Sequence, residues 1–90
     1  MYVASCRLEF WCRGKKKSRA VVLTAATVKS AKQFLREVLE AITDSLAGEP
    51  VRPIGKALDL AKDVVDDLKR VGVDSFSVVR KRVYYIPAAA

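Results

Sequence analysis

From Tyr2 to Arg13 the chain alternates without a break, and that period of two constrains the fold more than any other feature. Tyr2, Ala4, Cys6, Leu8, Phe10 and Cys12 fall on one parity, and Val3, Ser5, Arg7, Glu9, Trp11 and Arg13 on the other. Successive side chains of a strand point to opposite faces, so one apolar and one charged parity mean a sheet covered on one side only. If Leu8, Phe10 and Cys12 face a core, then Arg7, Trp11 and Arg13 face away from it.

The rest of the chain supplies the cover. Gly14-Lys15-Lys16-Lys17-Ser18 reads as a short polar hairpin loop, followed by a second strand over Arg19 to Ala26. Its Ala20-Val21-Val22-Leu23 run is apolar on both parities, as suits a central strand. Thr27 is placed to cap a helix beginning at Val28, along which Ala31, Phe34, Leu35, Val38, Leu39, Ile42 and Leu46 recur at three- and four-residue steps until Gly48. Pro53 suits the first turn of a second helix. On it Ile54, Ala57, Leu58, Ala61, Val64, Val65, Leu68 and Val71 make a continuous stripe that ends at Gly72. Lys62 with Asp66, and Asp66 with Arg70, stand four apart on its outer side, where they read as a solvated helix face.

Val73 to Ile86 returns to strand chemistry with less regular parity. Lacking Gly or Asn near Arg80 to Arg82, it reads as one long strand with a bulge or bend rather than as two strands. The expected fold class is α+β: a small, mostly antiparallel sheet of three or four strands, order β-β-α-α-β, with a two-helix hairpin on one face. Residues 1–87 form the single domain, and 88–90, an alanine run after Pro87, read as an expression-vector scar or disordered tail. A 90-residue chain buries roughly 60 to 65% of its unfolded surface, a modest core that oligomerisation would supplement.

Charge and rings share the strand segments. Met1 to Lys32 holds eight Lys or Arg against Glu9 alone, Gln33 to Asp74 six against nine acids, and Ser75 to Ala90 three against none. The net charge of +7 is therefore carried by the two β ends, while the helical middle is acidic. A basic sheet that also carries rings offers what single-stranded nucleic acid requires, cations for phosphates and flat faces for bases. The candidate binding residues are Arg7, Trp11, Arg13, Lys15, Lys16, Lys17 and Arg19 in the first hairpin and Arg80, Arg82 and Tyr84 in the last strand. Phe10 and Tyr85 are assigned to the core.

Other chemistry finds little footing. There is no His and no Gly-rich phosphate loop, so neither a catalytic constellation nor a zinc site is expected. Asp63, Asp66 and Asp67 belong to an ordinary exposed helix face, and Cys6 and Cys12 to the core. The chain reads as a non-enzyme without cofactor or metal. Six residues apart in one strand, the cysteines stand roughly 20 Å from one another, too far for a disulfide. Free thiols, the lack of any apolar run long enough to span a bilayer and a charged amino-terminal segment point to a cytoplasmic protein that is not membrane-bound. Signatures of the common RNA-binding modules are missing too: no Gly-Phe-rich strand and no Gly-x-x-Gly loop.

With no Asn, one Gln and many charges, the composition is that of a hyperthermophile protein. Together with the strand, two-helix, strand order and a ring-bearing sheet edged by Arg and Lys, Tyr2 to Ile86 resembles the ThermoDBP-related proteins of crenarchaea. That resemblance implies single-strand binding in a hydrophobic cleft lined by sheet residues with basic edges, and assembly as dimers or tetramers. It points to Arg7, Trp11, Arg13, Arg80, Arg82 and Tyr84 as lining positions. The chain lacks the leucine-zipper tail of the longer member, so any homo-oligomer would use the domain itself. The main expectation is sequence-tolerant binding of single-stranded DNA or RNA. The alternatives are a protein-interaction or oligomerisation module using the open sheet face, and a duplex-DNA chromatin binder, which needs the charge but not the rings.

Overall fold

A computed structural model describes residues 1–53 and 55–87. Five elements follow in the order β1 (Tyr2–Cys12), β2 (Lys15–Ala25), α1 (Val28–Ala47), α2 (Lys56–Arg70) and β3 (Ser77–Tyr85). The strands form one antiparallel sheet in the order β2-β1-β3. The fold is α+β with both helices on one face, as the alternation of β1 requires. Val73 to Phe76, expected as strand, lie outside β3.

The hairpin tip is tighter than the lysine run implied. Arg13 and Gly14 alone make the turn, with φ of 53° and 75°, and pairing continues to Cys12 opposite Lys15. Two left-handed residues match the right-handed twist of the flanking strands, so the ladder runs to the tip. Lys15, Lys16 and Lys17 are therefore strand residues of β2, not a loop. The position of β2 is a second correction: it is an edge, and β1 is the central strand. Its apolar run divides between faces, Val21 and Leu23 buried in the core and Val22 55% exposed on the other side.

Thr27 caps α1 as the sequence implied, its Oγ1 accepting from the Ser30 backbone N–H at 3.0 Å. Gly48 ends the helix in the left-handed conformation (φ 75°) that β-carbon-bearing residues enter at a cost. The second helix starts later than Pro53 indicates. Gly55, at φ 74° and ψ −141°, is its N-cap, a backbone conformation that turns the chain into the helix only from Lys56. Ile54, assigned to the apolar stripe of α2, lies outside the described residues, as does the 88–90 tail. Lys62 and Asp66 on the outer side of α2 take part in no ion pair among the described residues, and Arg70 reaches Asp67 at 3.4 Å.

The core lies between the helices and the even parity of β1. Leu8, Val21, Val38, Ile42, Val64 and Leu68 are the largest fully buried side chains. Cys6 and Cys12 are free and buried, and Cys12 Sγ donates to the Val71 carbonyl at 3.6 Å. Burial pushes the Cys6 thiol above its ordinary pKa, opposed by the nearby Lys81 ammonium. No helix among the described residues is long and apolar enough to cross a membrane.

Candidate nucleic-acid interface

The uncovered face of the sheet is defined by the register. Opposite Val3, Ser5, Arg7, Glu9 and Trp11 on β1 stand Thr24, Val22, Ala20, Ser18 and Lys16 on β2. On the other side, Val3 faces Tyr84, Ser5 faces Arg82, Arg7 faces Val79 and Glu9 faces Ser77. Directly opposed residues share a face, so Arg7, Trp11, Lys16, Arg82 and Tyr84 all lie on the helix-free side.

A bulge makes that possible. Tyr84 and Arg82 pair in one register and Val79 and Val78 in another, the shift falling between Ser5 and Arg7. Arg80 is the extra residue, in the left-handed region at φ 54°. Phe76, Val78, Arg82 and Tyr84, which an unbroken alternation would keep on one face, are thereby split between two. Phe76 and Val78 pack against the core, while Arg82 and Tyr84 turn outward. Arg80 itself sits exposed at the bulge.

Trp11 is 69% exposed at one end of this face and Tyr84 44% exposed at the other. Eight residues of β1 separate Trp11 from Val3, the partner of Tyr84, which is roughly 27 Å of strand. Arg7 and Arg82 lie between them on adjacent strands. Ring, cation, cation and ring thus follow one diagonal. Arg7 donates to Ser18 Oγ at 3.1 Å, which holds its guanidinium over the face, and Lys16 Nζ lies 3.4 Å from Glu9 Oε1. Arg13, exposed in the turn, extends the basic surface beyond Trp11.

Three expected residues are not part of this face. Lys15 and Lys17 stand opposite Cys12 and Phe10 on the helix-side parity, although both are exposed at the edge. Arg19 stands opposite Leu8, and its Nε approaches Asp67 Oδ2 on α2 at 2.8 Å. The N–H direction misses the oxygen, so this is a charge contact without an aligned hydrogen bond. It ties β2 to α2, and the phosphate role expected for Arg19 is withdrawn. Phe10 packs against the core as expected, but Tyr85 does not: it is 59% exposed and meets Tyr2 edge-on, ring centres 5.3 Å apart.

The bulge also redirects Lys81, which no periodicity in the sequence marks. Placed between Arg80 and Arg82, Lys81 is turned to the helix side, where its charge reaches Cys6. Three consecutive cations thus serve both sides of one edge. The only available signal was the absence of a turn residue in an otherwise overlong strand. Comparison with known proteins finds no match: no family model, no curated protein and no solved structure matches this chain.

Proposed function

We propose that this protein binds single-stranded DNA or RNA with little sequence preference, laying the strand along the open sheet face. Trp11 and Tyr84 stack bases, each such contact contributing about 1 to 3 kcal/mol, and Arg7 and Arg82 between them hold phosphates. The observation that carries this reading is the shared face: exposed rings at both ends of a helix-free sheet surface with arginines between them. An open sheet face with exposed rings suits an unpaired strand, whose bases are free to splay, better than a duplex. Kinship with the ThermoDBP-related proteins belongs to the same proposal, supported by the element order and the basic, ring-bearing face. So does a cytoplasmic setting, supported by two free thiols.

The test is a fluorescence-anisotropy titration with a labelled oligonucleotide across a range of salt. Arg7, Arg13, Arg80 and Arg82 have no carboxylate partner among the described residues. Four phosphates neutralised at about 0.7 per contact predict a log-log salt slope near −2.8. Trp11→Ala should weaken binding and leave that slope unchanged, whereas Arg7→Gln should make it shallower. A wild-type slope near zero rejects the reading, and tighter binding of duplex than of single strands favours the chromatin alternative.

Self-association has its own support. Val22, 55% exposed, and Tyr84 lie on the open face near one end, with Val3 between their strands. An apolar end of this kind suits a homo-oligomer, dimer or tetramer, in which two faces join into a longer track. Light scattering on wild type and Val22→Lys tests it: a shift to monomer supports pairing through this end, and an unchanged mass rejects it.

A further inference from the structure

The helices leave one strand poorly covered. α1 packs on all three strands but meets β3 least, and α2 packs chiefly on α1, so a groove of about 710 Å³ opens between the amino-terminal half of α1 and β3. Leu35 and Val83 form part of its apolar floor. Its walls are basic: Lys29, Lys32 and Arg36 from α1, Lys81 and Arg82 from β3. Steps of three and four residues put the helical three on one side of α1. The bulge brings Lys81 to meet them.

Two features mark these charges as more than a solvated surface. The ion pairs among the described residues are Lys16 with Glu9, Arg19 with Asp67 and Arg70 with Asp67, and none of the five groove cations takes part in one. The first turn of α1 holds no acidic residue either, so its amino-terminal partial positive charge adds to theirs. Five like charges around one apolar-floored groove repel one another until an anion enters. Arg82 belongs to both surfaces, for it stands on the open-face parity opposite Ser5 and also lines the groove.

We propose that the α1–β3 groove is a second track for the same nucleic-acid strand, which crosses the β3 edge at Arg82 and continues with its phosphates among Lys29, Lys32, Arg36 and Lys81. This rests on the single-strand reading above and adds where the strand goes after the open face. Longer oligonucleotides therefore gain contacts that short ones cannot reach.

The experiment is anisotropy with labelled oligothymidylates of about four to about sixteen nucleotides, the span of single-strand site sizes for small binding domains. The variants are Lys32→Gln with Arg36→Gln, and Trp11→Ala. Both groove substitutions are at exposed helix positions, and circular dichroism checks the fold. The double variant should bind the shortest oligomers within about twofold of wild type. With the longest it should lose about tenfold and show a salt slope shallower by about 1.4, two contacts at about 0.7 each. Wild-type behaviour of the double variant at every length, with Trp11→Ala weakened, overturns the second track and leaves the open-face reading standing. An equal loss at every length also overturns it. Failure of wild type to bind any oligomer overturns both.

Discussion

Deleting Arg80 tests the bulge on which the open face depends. In the observed register Val79 pairs with Arg7 and Arg82 with Ser5, leaving Arg80 and Lys81 opposite Cys6 alone. Removal of Arg80 lets Lys81 oppose Cys6 directly, and every other residue of β3 keeps its partner and its face. The deletion also removes a non-glycine residue at φ 54°, a conformation that costs roughly 1 to 2 kcal/mol. Stability should be unchanged or higher by about 1 kcal/mol, a rise of up to about 4 to 8 °C in melting temperature for a domain of this size. Were the strand regular, with Val79, Lys81 and Val83 all inward, the same deletion with the first half held in place would turn Val83 out of the core and drive Arg82 toward the helices. That forfeits about 1.5 kcal/mol or more for the valine alone and adds a desolvated charge, so the melt would fall by about 10 °C or more. Thermal circular dichroism of the deletion variant separates the two, and a fall of that size refutes the register. Oligonucleotide binding gives an independent check: affinity within about threefold of wild type and a salt slope shallower by about 0.7, the loss of one cation.

Three further outcomes follow from the packing. Leu8, fully buried at the centre of the sheet, should cost about 2 to 5 kcal/mol as Leu8→Ala, read from the urea midpoint, and a loss below about 1 would mean the helices do not sit on that face. Asp67→Ala removes the partner of both Arg19 and Arg70, but the side chains are 31% to 74% exposed, so the loss should stay under about 1 kcal/mol; oligonucleotide affinity should be unchanged or slightly raised, because this pair lies on the helix side. Cys6, whose thiol burial holds above its ordinary pKa, keeps its proton in the folded state at a pH where the unfolded chain has lost it. Its contribution to stability is complete below the unfolded value, about 8.5, and declines as pH rises from there through the folded value. Urea midpoints measured from about pH 8 to about pH 10 should therefore fall more steeply for wild type than for Cys6→Ala, and parallel curves would contradict the burial.

Much of the fold was legible because each element carried its own period. The alternation of β1 placed Arg7 and Trp11 outward and Leu8 inward, and the three- and four-step stripes located both helices, with Thr27 and Gly48 marking the ends of α1 but Pro53 setting the start of α2 too early. What failed did so where a single backbone conformation decides. The lysine run looked like a loop because composition marks polarity, not turn geometry, and Arg13 entering a left-handed turn leaves no compositional trace. The division of β3 between faces depends likewise on Arg80, one residue whose φ resets the parity of all that follow it. Arg19 appears among the phosphate cations by count alone; only the register, which sets it opposite Leu8, directs it to Asp67.

The cations of this sheet have a second explanation, and its reach can be judged residue by residue. Open edges of β-sheets invite pairing with other chains, and lysines, arginines and bulges on edge strands oppose it. Both edges here carry them: Lys15, Lys16, Lys17 and Arg19 on β2, and Arg80, Lys81 and Arg82 with the bulge on β3. Edge protection is enough to account for those seven. It does not account for Arg7, which stands on the central strand, nor for Lys29, Lys32 and Arg36, which stand on a helix with no edge to guard. Nor does it need an indole 69% exposed, since a bare aromatic ring on a sheet face promotes association and works against the purpose. The residues that discriminate between a guarded sheet and a binding surface are therefore Arg7 and Trp11 on the open face and the α1 trio in the groove. Substitutions at Lys15, Lys17 or Lys81 alone test both explanations at once and separate neither.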